Sequence, residues 1–237
     1  MLLGAILRIK QNPEGGYSIP EGNLFPVGTP KTRPEIYVKG NRNPFRFSID
    51  SHNGNLFWGE VGPDGAEDKE SRGPRGYDEI NVAIGPGYYG WPYFVGNNYA
   101  YWKYDFATGE SLFQFDPKAP KNTSPNNTGM EDLPAAKPAL IYYPYAESEE
   151  FPMLGQGGRN AMAGQVYYRE DYDASEVRFP GYYNEKLFIY DWMRNWVFTV
   201  SLTENFEYDT MERFMPETHF EKPMAMQFGK DGSLYVL

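Results

Sequence analysis

Three polar clusters carry the side chains best suited to chemistry: Gly40-Asn41-Arg42-Asn43-Pro44, Asp78-Glu79-Ile80-Asn81 and Tyr89-Gly90-Trp91-Pro92. Arg42 offers a planar fork of donors that matches a carboxylate, and the Asn43 amide stands beside it. The same two residues also suit a structural task, the arginine pairing with a carboxylate and the asparagine capping a turn. The run Gly157-Gly158-Arg159-Asn160-Ala161-Met162-Ala163-Gly164 is a glycine-rich turn that lets backbone approach a ligand closely. It carries Arg159 either as an anion contact or as a surface residue of a tight turn. The two histidines, His52 and His219, fall in a hairpin turn and a loop and read as surface residues. The acidic cluster Glu147, Glu149 and Glu150 reads as a solvated loop. Trp91, Tyr99, Tyr101 and Trp102 could stack on sugar rings or pack one strand layer on another.

The elements that must position these clusters are short strands. Runs at 5–9, 35–38, 165–168, 186–190 and 196–200 are rich in β-formers and bounded by turn residues. Asp50-Ser51-His52-Asn53-Gly54 separates a strand at 45–49 from one at 55–58. The wording returns near the end, where Gly229-Lys230-Asp231-Gly232 separates 226–228 from 233–236. Strand, Asp/Asn-Gly turn, strand is a hairpin signature, and no helical periodicity competes with it. Long loops are expected at 13–31, 59–77 and 108–137, the last two as insertions. The expected architecture is all-β, one domain over 1–237 forming part of a β-propeller, with about four blades present. The chain starts and stops within strand-like runs, which is why an incomplete ring is expected.

Composition narrows the function classes. The 237 residues and 41% hydrophobic content suffice for a sizeable core, and the 17% aromatic content favours strands. A net charge of -10 argues against a nucleic-acid partner. The lack of cysteine excludes a disulfide framework, a thiolate metal site and a cysteine nucleophile. No apolar run approaches the ~18 residues of a transmembrane segment. The opening run 1–9 has no basic leader or cleavage site and reads as a strand rather than a signal peptide.

Taken in order, these motifs resemble the soluble quinoprotein sugar dehydrogenases, the glucose/sorbosone dehydrogenase family. The resemblance rests on Gly4-Ala5-Ile6-Leu7-Arg8-Ile9, Ile19-Pro20-Glu21-Gly22-Asn23-Leu24-Phe25 and Arg33-Pro34-Glu35-Ile36-Tyr37, followed by the three clusters named above. Gly73-Pro74-Arg75-Gly76-Tyr77 precedes the second cluster, and Asp231-Gly232-Ser233-Leu234-Tyr235-Val236 closes the chain. Each stretch is weak alone; their order over nearly the whole chain is specific.

The resemblance implies a six-bladed propeller that uses pyrroloquinoline quinone (PQQ) and calcium. It would oxidise an aldose to its lactone and pass electrons to an external acceptor, a quinone or cytochrome c, in the periplasm or outside the cell. Arg42 and Asn43 match the family's PQQ contacts, and Arg42 would also act catalytically by stabilising negative charge on the quinone. Arg159 falls where the family starts a blade near the cofactor. Met193 takes the place of a cofactor-binding lysine, with Arg194 next to it as the substitute cation. Lys222 and Met224 align with a pair of cofactor-binding arginines. The family's calcium takes carbonyl oxygens from a Gly-Pro pair after a strand, which implies Gly62 and Pro63, with Gly73-Pro74 as the competing pair. The family's general base, a histidine of an earlier blade, has no counterpart here, so this chain alone is expected to be inactive. The alternative is a non-catalytic propeller module that binds carbohydrate or protein. A lactonase-type hydrolase ranks last, because its set of carboxylate and asparagine calcium ligands cannot be assembled.

Overall fold

Tyr-, Phe- and Val-rich runs punctuated by Gly, Pro, Asn and Asp form short strands joined by turns, as their pleat preferences dictate. The computed structural model describes residues 2–237; Met1, the start of the run read as a strand rather than a leader, lies outside them. The strands are β1 (Ala5–Leu7), β2 (Lys10–Gln11), β3 (Tyr17–Ser18), β4 (Ile36–Lys39), β5 (Pro44–Ile49), β6 (Leu56–Glu60) and β7 (Asp78–Ala83). Then come β8 (Gly87–Tyr88), β9 (Phe94–Val95), β10 (Tyr99–Ala100), β11 (Trp102–Asp105), β12 (Glu110–Gln114) and β13 (Ile141–Tyr143). The last are β14 (Ala161–Tyr167), β15 (Lys186–Asp191), β16 (Trp196–Leu202), β17 (Tyr208–Arg213), β18 (Met226–Phe228) and β19 (Leu234–Val236). Among the described residues, helix is confined to single 3₁₀ turns at Pro152–Leu154, Arg169–Tyr172 and Gly181–Tyr183.

The chain divides into two compact units, residues 1–43, 63–76 and 85–139 in the first and 44–62, 77–84 and 140–237 in the second. In the first, β4 lies between antiparallel β1 and parallel β8, and small hairpins pair β2 with β3, β9 with β10 and β11 with β12. Its core includes Tyr88, Phe94 and Phe115. The segment 108–137 is not loop throughout. β12 takes up its first part, turning back on β11 around Asp105, whose carboxylate accepts from the backbone N–H of Ala107 at 2.8 Å. The mostly exposed Glu110–Gln114 sequence hid that strand, because its stability comes from backbone pairing with β11 rather than from a buried apolar face.

The second unit holds two four-stranded antiparallel sheets of blade type, ordered β13-β7-β6-β5 and β14-β15-β16-β17, and the terminal hairpin β18-β19. The expected blades are thus two complete sheets, with the three-stranded sheet of the first unit and the terminal hairpin as partial ones. The central strand β6 is buried along its whole length, apolar up to the buried Glu60 at its end, whereas β5 is a half-exposed edge strand that opens on a proline. The two sheets pack closely where side chains are small. A Cβ on Gly59 of β6 would lie 2.2 Å from the Ala161 carbonyl oxygen of β14. Behind them, Tyr167, Phe188, Tyr190, Phe214 and Phe228 form the aromatic core of the second blade. The Asp50 turn closes β5 onto β6 as the sequence implied, with the Asp50 carboxylate accepting from the His52 N–H at 2.9 Å.

Candidate functional site

In the first unit, strands β4 and β8 run side by side and deliver two of the three polar clusters to one place. The Lys39 carbonyl accepts from the Tyr89 N–H at 2.7 Å, and the Gly40 carbonyl from the Trp91 N–H at 2.9 Å. Gly40 has φ 87°, and a Cβ there would lie 2.5 Å from the Tyr88 ring, so only glycine lets the two clusters close. Arg42 emerges exposed, its guanidinium carbon 6.0 Å from the centroid of the Trp91 ring. Asn43 follows it, also exposed.

Arg42 and Trp91, but not Asn43, wall a cavity of about 310 Å³ that also takes in Lys39, Asn41, Tyr88 and Asn122 and has no carboxylate among its lining residues. Asn41 is 2% exposed, yet neither its amide nitrogen nor its amide oxygen has a hydrogen bond among the described residues. An unsatisfied buried amide costs about 1–3 kcal/mol, so this side chain is poised for a partner that the described residues do not supply. Sequence reasoning gave Asn41 and Lys39 no role. Nothing in a Gly-Asn-Arg string marks the asparagine as buried, because its burial follows from the closure of β8 on β4. Burial pushes the Lys39 ammonium below its ordinary pKa, and the side chain donates to the Leu3 carbonyl. The donor chemistry of this cavity, two cations, an unpaired amide and an indole face, fits a planar polyanion such as PQQ.

The third cluster belongs to the second unit and has a different task. Asp78 opens β7 fully buried and accepts from the Gly62 N–H at 3.0 Å, the Ala161 N–H at 3.0 Å and Arg159 Nε at 2.7 Å. Burial pushes its carboxyl up to about 6, against the opposing pull of the Arg159 guanidinium and the two N–H donors. Arg159, expected as an anion contact or a surface residue, is 6% exposed and lies 3.8 Å over the Tyr145 ring while it pairs with Asp78. Asp191, at the end of β15, repeats the arrangement. It accepts from the Tyr143 hydroxyl and from the N–H groups of Asn160, Met193 and Arg194, each within 2.8 Å.

Arg194, expected as a substitute cofactor cation, turns its guanidinium onto backbone. It donates to the carbonyls of Leu154, Gly155, Gly157 and Gly158 at 2.8–3.2 Å, and to that of Pro144. Its adjacency in sequence to the lysine position therefore does not carry over into space. Lys222 is exposed, with its ammonium 5.0 Å from the Trp192 ring centroid and its backbone N–H bound to Asn195 Oδ1. His52 stacks on Tyr168 at 3.6 Å and meets Asp171 at 2.8 Å, and this hydrogen bond raises its pKa. His219 is exposed.

Of the two Gly-Pro pairs, Gly62 follows β6 directly. A Cβ on it would lie 1.7 Å from the Tyr77 carbonyl oxygen, so the position demands glycine. The Pro63 carbonyl accepts from the Gly65 N–H at 2.9 Å. Gly73 instead closes a local turn with Lys69, and the flanking Asp68 and Arg75 clamp it shut through a salt bridge. Asp68 is thereby committed to Arg75. No group of three acidic or histidine side chains able to hold a metal occurs among the described residues. A calcium ion here would depend on backbone carbonyls and on its ligand, which is the donor set that a Gly-Pro pair offers.

A family model for glucose/sorbosone dehydrogenase matches residues 1–130. The HIPL2 protein of Arabidopsis thaliana is 34% identical over 108 residues, which cover 40% of this chain and 14% of that protein. The HIPL1 protein of the same plant is 27% identical over 186 residues, 73% of this chain and 21% of that one. The soluble aldose sugar dehydrogenase of Escherichia coli, solved in its apo-form, superposes with a TM-score of 0.56 at 22% identity, over 100% of this chain and 51% of that one. The chain thus spans about half of that solved structure and about a fifth or less of the curated relatives. The structural likeness shows the propeller fold.

Proposed function

Because the chain belongs to the glucose/sorbosone dehydrogenase family, we propose that it is the quinone-binding part of a PQQ- and calcium-dependent aldose dehydrogenase. The observation that carries this reading is the wall formed by exposed Arg42 and the buried, unpaired Asn41 amide. When bound, PQQ supplies the two-electron acceptor that takes hydride from the sugar's anomeric carbon, leaving the lactone. Arg42 would hold the reactive face of the quinone and stabilise charge that develops on its oxygen. Asn41 and Asn43 would orient it by hydrogen bonding, and Trp91 would cover it. Gly62 and Pro63 would contribute carbonyl oxygens to calcium. Arg159 and Arg194 act as scaffold. The electrons would leave to an external quinone or cytochrome, in the periplasm or outside the cell as the family setting implies.

The reaction also needs a base for the sugar hydroxyl proton. His52 is engaged with Asp171 and stacked on Tyr168, and His219 lies exposed in a loop. We therefore expect this chain alone to bind PQQ without oxidising sugar. The test is a titration of the chain with PQQ in calcium, read by visible absorbance and calorimetry. Binding that weakens about 10-fold or more in Arg42→Ala supports the reading, since a hydrogen bond to a charged group contributes about 1.5–3 kcal/mol. No binding, or binding indifferent to Arg42→Ala, overturns it. A second reading, a propeller module that binds carbohydrate or protein without chemistry, draws on the commitment of Arg159 and Arg194 to the scaffold. Glycan binding without PQQ binding would select it.

A further inference from the structure

Residues 25–39 and 122–133 of the first unit enclose a second cavity, of about 500 Å³, within the range of small-molecule sites. Three cations line it, Lys31, Arg33 and Lys39, and no carboxylate does. In a chain of net charge -10 that segregation is a local reversal of sign. Neither Lys31 nor Arg33 forms a salt bridge among the described residues. The nearby Asp132 is exposed and paired with Lys121 at 2.8 Å. Lys31 has φ 59°, a left-handed conformation unusual for a residue with a side chain. Backbone strain of this kind gathers where a side chain must be held in a set direction.

The opposite wall is an amide- and hydroxyl-rich loop built to keep its shape. Asn127 donates to the carbonyls of Asn122 at 3.0 Å and Met130 at 2.9 Å and accepts from the Gly129 N–H at 2.8 Å. That lacing presents Asn122, Ser124, Asn126 and Thr128 to the cavity. Phe25, Ile36 and Leu133 add apolar lining. Cations for a carboxylate, amides and hydroxyls for ring hydroxyls, and apolar lining for the carbon skeleton together describe one chemistry.

We propose that this cavity binds a carboxylated sugar, a uronate or an aldonate. The proposal rests on the charge and lining of this cavity and does not depend on the quinone reading, although Lys39 and Asn122 face both cavities.

The test is calorimetry of the full chain, without quinone or calcium, against glucuronate, galacturonate and gluconate, with glucose and inorganic phosphate beside them. At least one sugar carboxylate should bind, more tightly than glucose and phosphate, and should weaken as salt is raised. Lys31→Gln and Arg33→Gln should each weaken it about 10-fold, the lower end of a lost hydrogen bond to a charged group. Asn126→Ala, on an exposed loop position, should also weaken it, with melting temperature unchanged in all three. Arg42→Ala should leave it intact. An oligogalacturonide run beside the monomer distinguishes a polysaccharide residue from a free sugar acid, either of which supports the proposal. Glucose or phosphate binding as tightly, no sugar carboxylate binding, or loss of binding in Arg42→Ala but not in Lys31→Gln would overturn it.

Discussion

The Arg159 guanidinium meets the Asp78 carboxylate at 2.7 Å across 81 residues of chain, with both side chains buried. Asp78 opens β7 of one blade, while Arg159 and Ala161 lead into β14 of the next, so one carboxylate gathers donors from both. Asp191 does the same in reverse, taking the Tyr143 hydroxyl of the first blade from the end of β15. Two buried acids thus staple the blades of the second unit where Gly59 lets them approach.

Asp78→Asn should cost about 3–5 kcal/mol, because it leaves the Arg159 charge buried without its counter-ion. Urea denaturation of the variant gives the value. Pairing it with Arg159→Met should recover part of the loss in a double-mutant cycle. Strict additivity of the two substitutions would show that the pair is not a coupled unit.

Arg194→Lys should loosen the 144–158 segment although charge is kept. A lysine has no planar fork with which to reach five carbonyls. Hydrogen exchange should rise in that segment with the β16 amides still protected. Unchanged protection there would contradict the role assigned to the guanidinium.

The His52–Asp171 contact gives the second unit a pH dependence of known sign. The hydrogen bond to Asp171 raises the His52 pKa, so the folded state favours the charged ring. The stabilisation is complete below the ordinary histidine value of about 6.5 and is lost as pH rises through the raised folded value. Melting curves recorded from about pH 6 to about pH 8 should decline more steeply for the parent chain than for His52→Gln.

Gly62→Ala should destabilise by about 3 kcal/mol, the upper part of the usual overpacking range. Its new Cβ would lie 1.7 Å from a backbone oxygen that cannot rotate away. Thermal unfolding measures it. Gly65 makes the contrasting case, since a Cβ there would approach no atom closer than 3.0 Å and should cost less.

Much of this molecule was legible in its residues. The hairpin around Asp50-Ser51-His52-Asn53-Gly54 and the one around Asp231-Gly232 follow from turn chemistry that acts over four or five residues. The strands β15 and β16 follow from apolar runs, and the family follows from the order of short motifs. Local signals suffice there because turn geometry and pleat preference are set by neighbours along the chain.

Tertiary structure alone decided the work of each charged side chain. Arg42 and Arg159 sit in similar Gly-Asn-rich strings, yet one emerges at a cavity and the other is buried on Asp78. Arg194 looked like a cofactor cation until its carbonyl partners, up to 50 residues away, came into view. A long side chain goes to whichever partner the packed strands bring within about 3 Å, and that partner is chosen by the meeting of distant strands, which spacing along the chain does not encode.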